Sequence, residues 1–157
     1  MYNSVIMNDY KIELEKNGVL GFVPGGNSMW PTLKNAGQSV VVLKKTERLK
    51  PMDVALYIRP QGNYVLHRVM QVTEDGYIMC GDSQYDLEPV KEEQVIGVMH
   101  SFFRGKKCIE CTDPKYIKQV ERWYGRKFIR KVRLKLFFLR VRVINKLKRI
   151  FGSKKEK

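Results

Sequence analysis

The sequence predicts a mainly β protein with a short N-terminal helix and a basic amphipathic helix at its C-terminus. Three observations predict this fold class. Short β-branched runs are separated by turn signals, an Asp75-Gly76 pair lies between two such runs, and helical periodicity is confined to the two ends of the chain. The 157 residues are enough for one ordinary domain and an appendage.

The elements follow one another in a simple order. Residues 1–16 predict a short helix that stops at Asn17-Gly18. The central region predicts strands, because β-branched residues and two-residue alternation dominate it. Asp75-Gly76 is a hairpin signal between two of them. The predicted strands cover residues 39–43, 53–58, 63–72, 77–79, 95–103 and 108–111.

The C-terminal region has a different pattern. Apolar residues recur at steps of three and four over residues 115–151, and basic residues fill most of the gaps, which predicts a basic amphipathic helix. Residues 131–138 also alternate strictly, so a strand stays open as an alternative there. The recurring apolar residues are Ile117, Val120, Tyr124, Phe128, Val132, Leu136, Leu139, Val143, Leu147 and Ile150.

Charge divides the chain at the same place. The formal net charge of +14 at first indicates a nucleic-acid binder. However, residues 1–113 carry 13 Lys and Arg against 14 Asp and Glu, a net of −1, whereas residues 114–157 carry 17 against 2, a net of +15. We therefore expect a near-neutral domain at 1–113 and a basic amphipathic tail at 114–157.

Three hypotheses account for the tail. It can lie on an anionic membrane surface through residues 115–151, with aromatic and aliphatic side chains in the interface. It can bind nucleic acid, which is disfavoured as a partner, or it can pack on the domain or on a partner. The interfacial side chains in the first hypothesis are Trp123, Phe128, Phe137, Phe138 and Leu139.

No signal peptide or membrane-spanning segment is expected, which predicts a cytoplasmic protein or a peripheral one at the inner membrane surface.

The cysteines predict no metal site and no cofactor. Cys108 and Cys111 form a single CxxC, Cys80 stands apart, and the two histidines are too few to complete a zinc site. A redox motif lacks the strand-then-helix setting it needs. We expect reduced thiols on a strand.

Residues 26–33 hold the most informative polar group. Ser28 follows Gly26 and Asn27 and precedes the apolar Met29, so its hydroxyl lies on a tight turn where backbone can approach a substrate. A serine nucleophile needs a base and oxyanion donors. Its own N–H is a natural donor, and His67, with an ordinary pKa of ~6.5, is the natural base.

An acid must then fix the imidazole tautomer. Asp82, which follows Gly81 at the end of a predicted strand, is the first choice. Asp86, four residues on, is the second.

Four segments resemble boxes of the signal peptidase and LexA-type repressor superfamily of serine peptidases. Gly-Asn-Ser-Met-Trp-Pro-Thr-Leu at 26–33 is similar to the nucleophile box, whose signature is Ser-Met-x-Pro, and Leu-His-Arg-Val at 66–69 is similar to the base box. Gly-Asp-Ser at 81–83 and Val-Ile-Gly-Val at 95–98 resemble the Gly-Asp box and the strand that follows it. The resemblance spans residues 19–104.

The base box indicates the branch. Bacterial signal peptidases and LexA-type proteins carry lysine before the arginine, whereas the endoplasmic-reticulum type carries histidine. The resemblance implies an all-β peptidase domain with Ser28 as nucleophile and His67 as general base. It implies Asp82 as the acid, keeps Asp86 open, and makes Arg68 structural. It also implies substrates with small side chains one and three residues before the cleaved bond.

The chain departs from the family in three ways. Gly26 stands where many signal peptidases have a serine that assists the oxyanion, and the loss of one such donor can cost ~10²–10³ in rate. The amide of Asn27 is a replacement donor to consider. We expect no N-terminal anchor of the kind that signal peptidases have, and the basic tail belongs to no part of the shared pattern.

The sequence therefore predicts a serine endopeptidase that removes a leader or signal-like segment from a peptide or an exported protein. The alternative is a catalytically decayed module that binds peptides or membrane. A LexA-like self-cleaving regulator is disfavoured, because about twenty residues precede the domain, too few for a helix-turn-helix unit. The Ala36-Gly37 bond also lies only eight residues after Ser28.

Overall fold

A computed structural model describes residues 3–34 and 37–152 as a mainly β protein, which confirms the predicted fold class. All the strand pairs are antiparallel. In chain order the elements are α1 (Asn3–Asn17), β1 (Val19–Phe22), β2 (Val40–Lys44), β3 (Val54–Ile58), β4 (Tyr64–Val72), β5 (Gly76–Cys80), β6 (Glu88–Lys91), β7 (Val95–Arg104), β8 (Lys107–Glu110), α2 (Pro114–Gly125) and α3 (Lys127–Gly152).

The eight strands form one sheet. The strand order is β1-β2-β7-β3-β4-β5-β6, and β8 folds back on β7 as a hairpin. Strands β3 and β4 therefore lie in the middle, where neighbours cover both edges. One cluster of the hydrophobic core lies around β3, β4 and β5, and its buried members are Leu49, Ala55, Tyr57, Val69, Tyr77, Met79, Val90 and Val95.

The six strands predicted from the pattern are all present, with ends that move by a few residues at most. Two strands were not predicted, β1 and β6, and both have only four residues. Strand β1 pairs with β2 from Val19 to Phe22, and β6 pairs with β5. Four residues are too few to show a period, so pairing partners rather than local pattern define these two strands.

The predicted N-terminal helix is α1, and it packs through Leu14, which is 1% exposed. The helix ends at Asn17, where the N–H of Gly18 donates to the Leu14 carbonyl at 3.0 Å. A Cβ added to Gly97 on β7 would lie 2.8 Å from Leu14 Cδ2 and 2.5 Å from Val42 Cγ1. Glycine at position 97 thus lets the helix approach the sheet closely.

The C-terminal pattern forms two helices, α2 and α3, which are interrupted at Arg126. The alternative of a strand over residues 131–138 is wrong, because the three- and four-residue period continues far beyond that segment and governs it. Helix α2 begins with a cap: Asp113 Oδ1 accepts from the Lys115 N–H at 2.7 Å, and Pro114 occupies the first helical position.

Two compact units make up the chain, residues 1–117 and 118–157. The first turn of α2 belongs to the sheet unit, because the Tyr116 ring packs edge-on against Phe102. In the described part of the chain, no helix is both long enough and apolar enough to cross a membrane. Ala36 lies outside the described residues, as does the side chain of Phe128.

We expect Gly97→Ala to lower the free energy of unfolding by about 1–3 kcal/mol, because the added methyl group overlaps atoms of Val42 and Leu14. The matched control is Gly21→Ala in β1, where an added Cβ meets no atom within 4 Å. That variant should stay within about 0.5 kcal/mol of the natural protein in urea unfolding. Equal stability of the two variants would contradict the close packing of α1.

Candidate active site

The turn that carries Ser28 follows β1 and is closed by its own backbone. The Trp30 N–H donates to the Asn27 carbonyl at 3.0 Å, and the Leu33 N–H donates to the Met29 carbonyl at 2.9 Å. Met29 is buried, whereas Asn27 is exposed and Ser28 is half-buried. The apolar residue after the serine thus anchors the turn and leaves the hydroxyl accessible.

The Gly-Asp-Ser segment, residues 81–83, holds this turn from the other side. The Ser83 N–H donates to the Ser28 carbonyl at 2.8 Å, and the Ser83 hydroxyl donates to the Asn27 carbonyl at 2.9 Å. A Cβ at Gly81 would lie 2.8 Å from the Ser28 carbonyl oxygen. Glycine at 81 and serine at 83 therefore set the position of the Ser28 backbone.

A buried ion pair of Arg68 and Asp82 completes the set of contacts that holds the serine turn in place. We call this set of contacts the frame. Arg68 and Asp82 are each 1% exposed, and the Arg68 guanidinium donates from Nε and Nη2 to the two carboxylate oxygens of Asp82, at 2.7 Å each. The Thr32 hydroxyl also donates to Asp82, and Arg68 Nη1 donates to the Met52 carbonyl at 2.7 Å. This bidentate geometry is the strong form of such a pair. It joins the serine turn, strand β4 and the Gly-Asp-Ser segment.

His67 precedes Arg68 on β4, so their side chains leave the strand on opposite faces. His67 is 4% exposed, and its Nδ1 lies 3.2 Å from the Tyr57 hydroxyl. That hydroxyl donates its hydrogen to Glu88 Oε2 at 2.8 Å, so its oxygen is left to accept from His67. The network thus assigns the imidazole proton to Nδ1 and leaves the Nε2 lone pair available.

Glu88 is in turn held by Arg59, which donates to both carboxylate oxygens. Hydrogen bonds from Arg59 hold the pKa of the Glu88 carboxyl below its usual range. Burial raises the pKa of the Tyr57 phenol, as does its hydrogen bond to Glu88. Near neutral pH the pair is therefore an ionised carboxylate and a protonated phenol.

Burial also lowers the pKa of His67 below its usual value, and the carboxylate of Glu88, 4.0 Å from Nδ1, opposes that shift. Arg59 adds to the lowering. The histidine is consequently neutral at pH 7, which is the state in which it can accept a proton.

Ser28 and His67 line the same cleft, which has a volume of about 330 Å³. No hydrogen bond joins the two side chains among the described residues, and none uses the Ser28 N–H. Catalytic hydrogen bonds are often long in proteins without substrate. The cleft thus brings Ser28, whose N–H makes no hydrogen bond within the described residues, together with a histidine that is neutral at pH 7.

The two carboxylates predicted to orient His67 have other positions. Both oxygens of Asp82 accept hydrogen bonds from Arg68 and Thr32, which places Asp82 in the frame, and its negative charge also raises the pKa of His67. Asp86 is exposed and makes no hydrogen bond or ion pair within the described ranges. The group bonded to His67 is the Tyr57 hydroxyl, backed by Glu88. No local motif in the sequence marks either residue.

Gly26, Asn27 and Met29 are the residues predicted to bind the oxyanion or the substrate. Gly26 and Met29 line a recess beside Ser28, whereas the exposed Asn27 is not among the described residues that line that recess or the cleft. Gly26 has φ of +79°, a conformation that glycine adopts readily, and no atom lies within 4 Å of an added Cβ. Beside Ser28 is a small recess of about 20 Å³, lined in part by Met29, Leu33 and Leu66.

None of the three cysteines, all of which lie in the described part of the chain, forms a disulfide. Cys108 lies on β8, Cys111 follows that strand, and burial raises the pKa of the Cys111 thiol to about 12. A thiol with that pKa is a poor nucleophile, which disfavours a redox motif. The described residues contain no group of three or more His, Cys, Asp or Glu able to hold a metal ion.

No family model matches this chain, and no curated protein matches it either.

We expect Asp82→Ala to lower the free energy of unfolding by about 3–5 kcal/mol, because it leaves the buried Arg68 cation without its carboxylate. The matched control is Asp86→Ala, which removes an exposed carboxylate and should change stability by less than about 0.5 kcal/mol. Urea unfolding measures both. Similar losses from the two substitutions would contradict the framing role of Asp82.

Proposed function

We propose that this protein is a serine endopeptidase with a Ser–His site, which removes a leader or signal-like segment from a peptide or an exported protein. The observation that carries the proposal is the meeting of Ser28 and His67, 39 positions apart in the chain, in one cleft. The resemblance of residues 19–104 to the signal peptidase superfamily supports it.

In the proposed reaction, Ser28 Oγ attacks the carbonyl carbon of the scissile peptide bond as its proton passes to His67 Nε2. The Ser28 N–H donates to the oxyanion that forms. Collapse of the tetrahedral intermediate breaks the C–N bond, and the imidazolium returns the proton to the leaving amine. Water then attacks the acyl-enzyme, again with His67 as base, and releases the acid product and Ser28.

Tyr57 and Glu88 act as positioning residues in this proposal. The Tyr57 oxygen accepts from His67 Nδ1–H and so selects the tautomer that a general base needs. The Glu88 carboxylate favours the imidazolium electrostatically, and Arg59 holds that carboxylate in place. In this proposal the Tyr57 phenol, which lies between His67 and Glu88, orients the imidazole, a role that the sequence predicted for Asp82.

The recess beside Ser28 supports cleavage after small residues. A volume of about 20 Å³ has room for a methyl-sized group, so a small side chain fits the recess better than leucine does. Met29 and Leu66, both buried, form part of its wall. We therefore propose alanine or glycine as the residue before the cleaved bond.

The location is also a proposal. We place the protein in the cytoplasm or at the inner surface of a membrane as a peripheral protein, because its tail is strongly basic.

We expect Ser28→Ala and His67→Ala each to lower kcat/KM by at least about 10³-fold on a peptide with alanine before the cleaved bond, because each removes a reacting group. His100→Ala, at the exposed second histidine, is the matched control and should keep full activity. Cleavage products identified by mass spectrometry give the measurement, and a peptide with leucine at the same position should resist.

Equal cleavage by all four proteins would overturn the mechanism. Binding of the alanine peptide by the natural protein without cleavage, and without labelling of Ser28 by a fluorophosphonate, would instead favour the alternative of a decayed binding module.

The pH profile tests the positioning residues. Activity should fall at acid pH as His67 protonates, with a midpoint below 6.5, because the pKa of His67 is lowered in the fold. Glu88→Gln removes a charge that raises this pKa, so the midpoint should move to lower pH. Arg59→Gln removes a charge that lowers the pKa, so the midpoint should move to higher pH.

Opposite shifts from neighbouring substitutions cannot arise from general loss of structure. Shifts in the same direction, or none, would contradict the electrostatic coupling.

The lowered pKa of His67 also predicts that the free energy of unfolding depends on pH. The contribution of His67 is complete above pH 6.5 and declines as the pH falls towards the pKa of the folded state, since the unfolded chain then binds more protons.

A further inference from the structure

Helix α3 presents an exposed apolar stripe. Its members recur at steps of three and four, so they lie within an arc of about 80° and extend over about 21 Å of helix. Each member is between 41% and 57% exposed. The stripe consists of Ile129, Val132, Leu136, Leu139 and Val143.

Basic side chains border this stripe on both edges. Arg133 and Arg140 lie along one edge, and Lys135 and Arg142 lie along the other, all of them exposed. The helix contains no Asp or Glu over Lys127–Gly152. Long basic side chains beside an apolar strip can extend to anionic groups while the strip is buried.

We propose that the apolar stripe of α3 lies in the interface of an anionic membrane, parallel to its surface, with the bordering basic residues at lipid phosphates. This inference stands whether or not Ser28 is a nucleophile. The helix is not apolar enough to cross the membrane, and an interfacial position satisfies both its apolar and its basic side chains.

The arrangement of apolar and basic residues on α3 disfavours two other partners for the stripe, nucleic acid and a second copy of this chain. Nucleic acid would neutralise the basic residues but would leave five aliphatic side chains in water. A second copy of α3 packed through the stripe would place Arg133 and Arg140 against Lys135 and Arg142, because these are the positions that flank the seam of paired helices. Like charges on both flanks oppose that pairing.

The test is flotation of the full-length protein with vesicles of phosphatidylglycerol mixed with phosphatidylcholine, beside vesicles of phosphatidylcholine alone. The protein should float with the anionic vesicles, and partitioning should fall as salt rises, because salt screens exposed charges. A variant with both Leu136→Ser and Leu139→Ser should bind about 10²-fold more weakly, since each leucine contributes roughly tenfold.

Two further variants separate the contribution of the bordering basic residues from that of exposed apolar side chains in general. Arg133→Gln with Arg140→Gln should weaken binding about 25-fold, since each basic residue near an anionic surface contributes about fivefold. Phe138→Ser is the matched control. The sequence alone placed Phe138 and Trp123 among the interfacial side chains, but Trp123 is buried and Phe138, 44% exposed, lies about 140° from the centre of the stripe, so binding should change by less than about twofold. Circular dichroism checks that each variant keeps its helix.

Several outcomes would overturn the proposal. Equal flotation with both kinds of vesicle would remove the role of lipid charge, and equal flotation of the leucine variant would remove that of the stripe. Absence of flotation together with binding to an oligonucleotide would indicate nucleic acid. Absence of flotation together with a dimer that the leucine variant loses would indicate a second copy.

Discussion

The buried pair of Arg68 and Asp82 is the interaction on which the rest of the candidate site depends. Each residue is almost completely removed from water, so each charge needs the other, and the loss of one partner leaves an uncompensated ion in the core. Because Thr32 bonds to the same carboxylate, the pair connects the serine turn to strand β4 and to the Gly-Asp-Ser segment. Three segments distant in sequence thus meet at one carboxylate.

This arrangement places a supporting residue and the proposed general base next to each other on a single strand. Arg68 is directed into the frame, whereas His67, its neighbour in the chain, is directed to Tyr57 on the opposite face. The two acids differ in their contacts: Asp82 forms the buried ion pair, and Glu88 lies 4.0 Å from His67 Nδ1, although both charges raise the pKa of His67. A change in the ionisation of Glu88 can therefore alter the pKa of His67 without breaking the buried ion pair.

The strands that show a clear alternation or a β-branched run were predictable, and so was the basic helical tail. The short strands β1 and β6 were not, because four residues show no period and β6 contains Glu88, Pro89 and Lys91, which are rare in strands. The break between α2 and α3 at Arg126 was also missed, since the apolar recurrence runs through it. In the candidate site, the roles of Ser28 and His67 stay predictions that rest on two distinctive local segments, and both residues line one cleft.

The sequence by itself determined the fold class, the basic character of the C-terminal helices and the two residue types proposed for the chemistry, because burial periods and turn residues act locally. Only the tertiary structure decided which groups contact His67. Tyr57 lies on β3 and Glu88 on β6, and their approach to β4 depends on the register of strand pairs across the sheet. A shift of one residue in any pair would direct those side chains to the opposite face, and no local pattern records that choice.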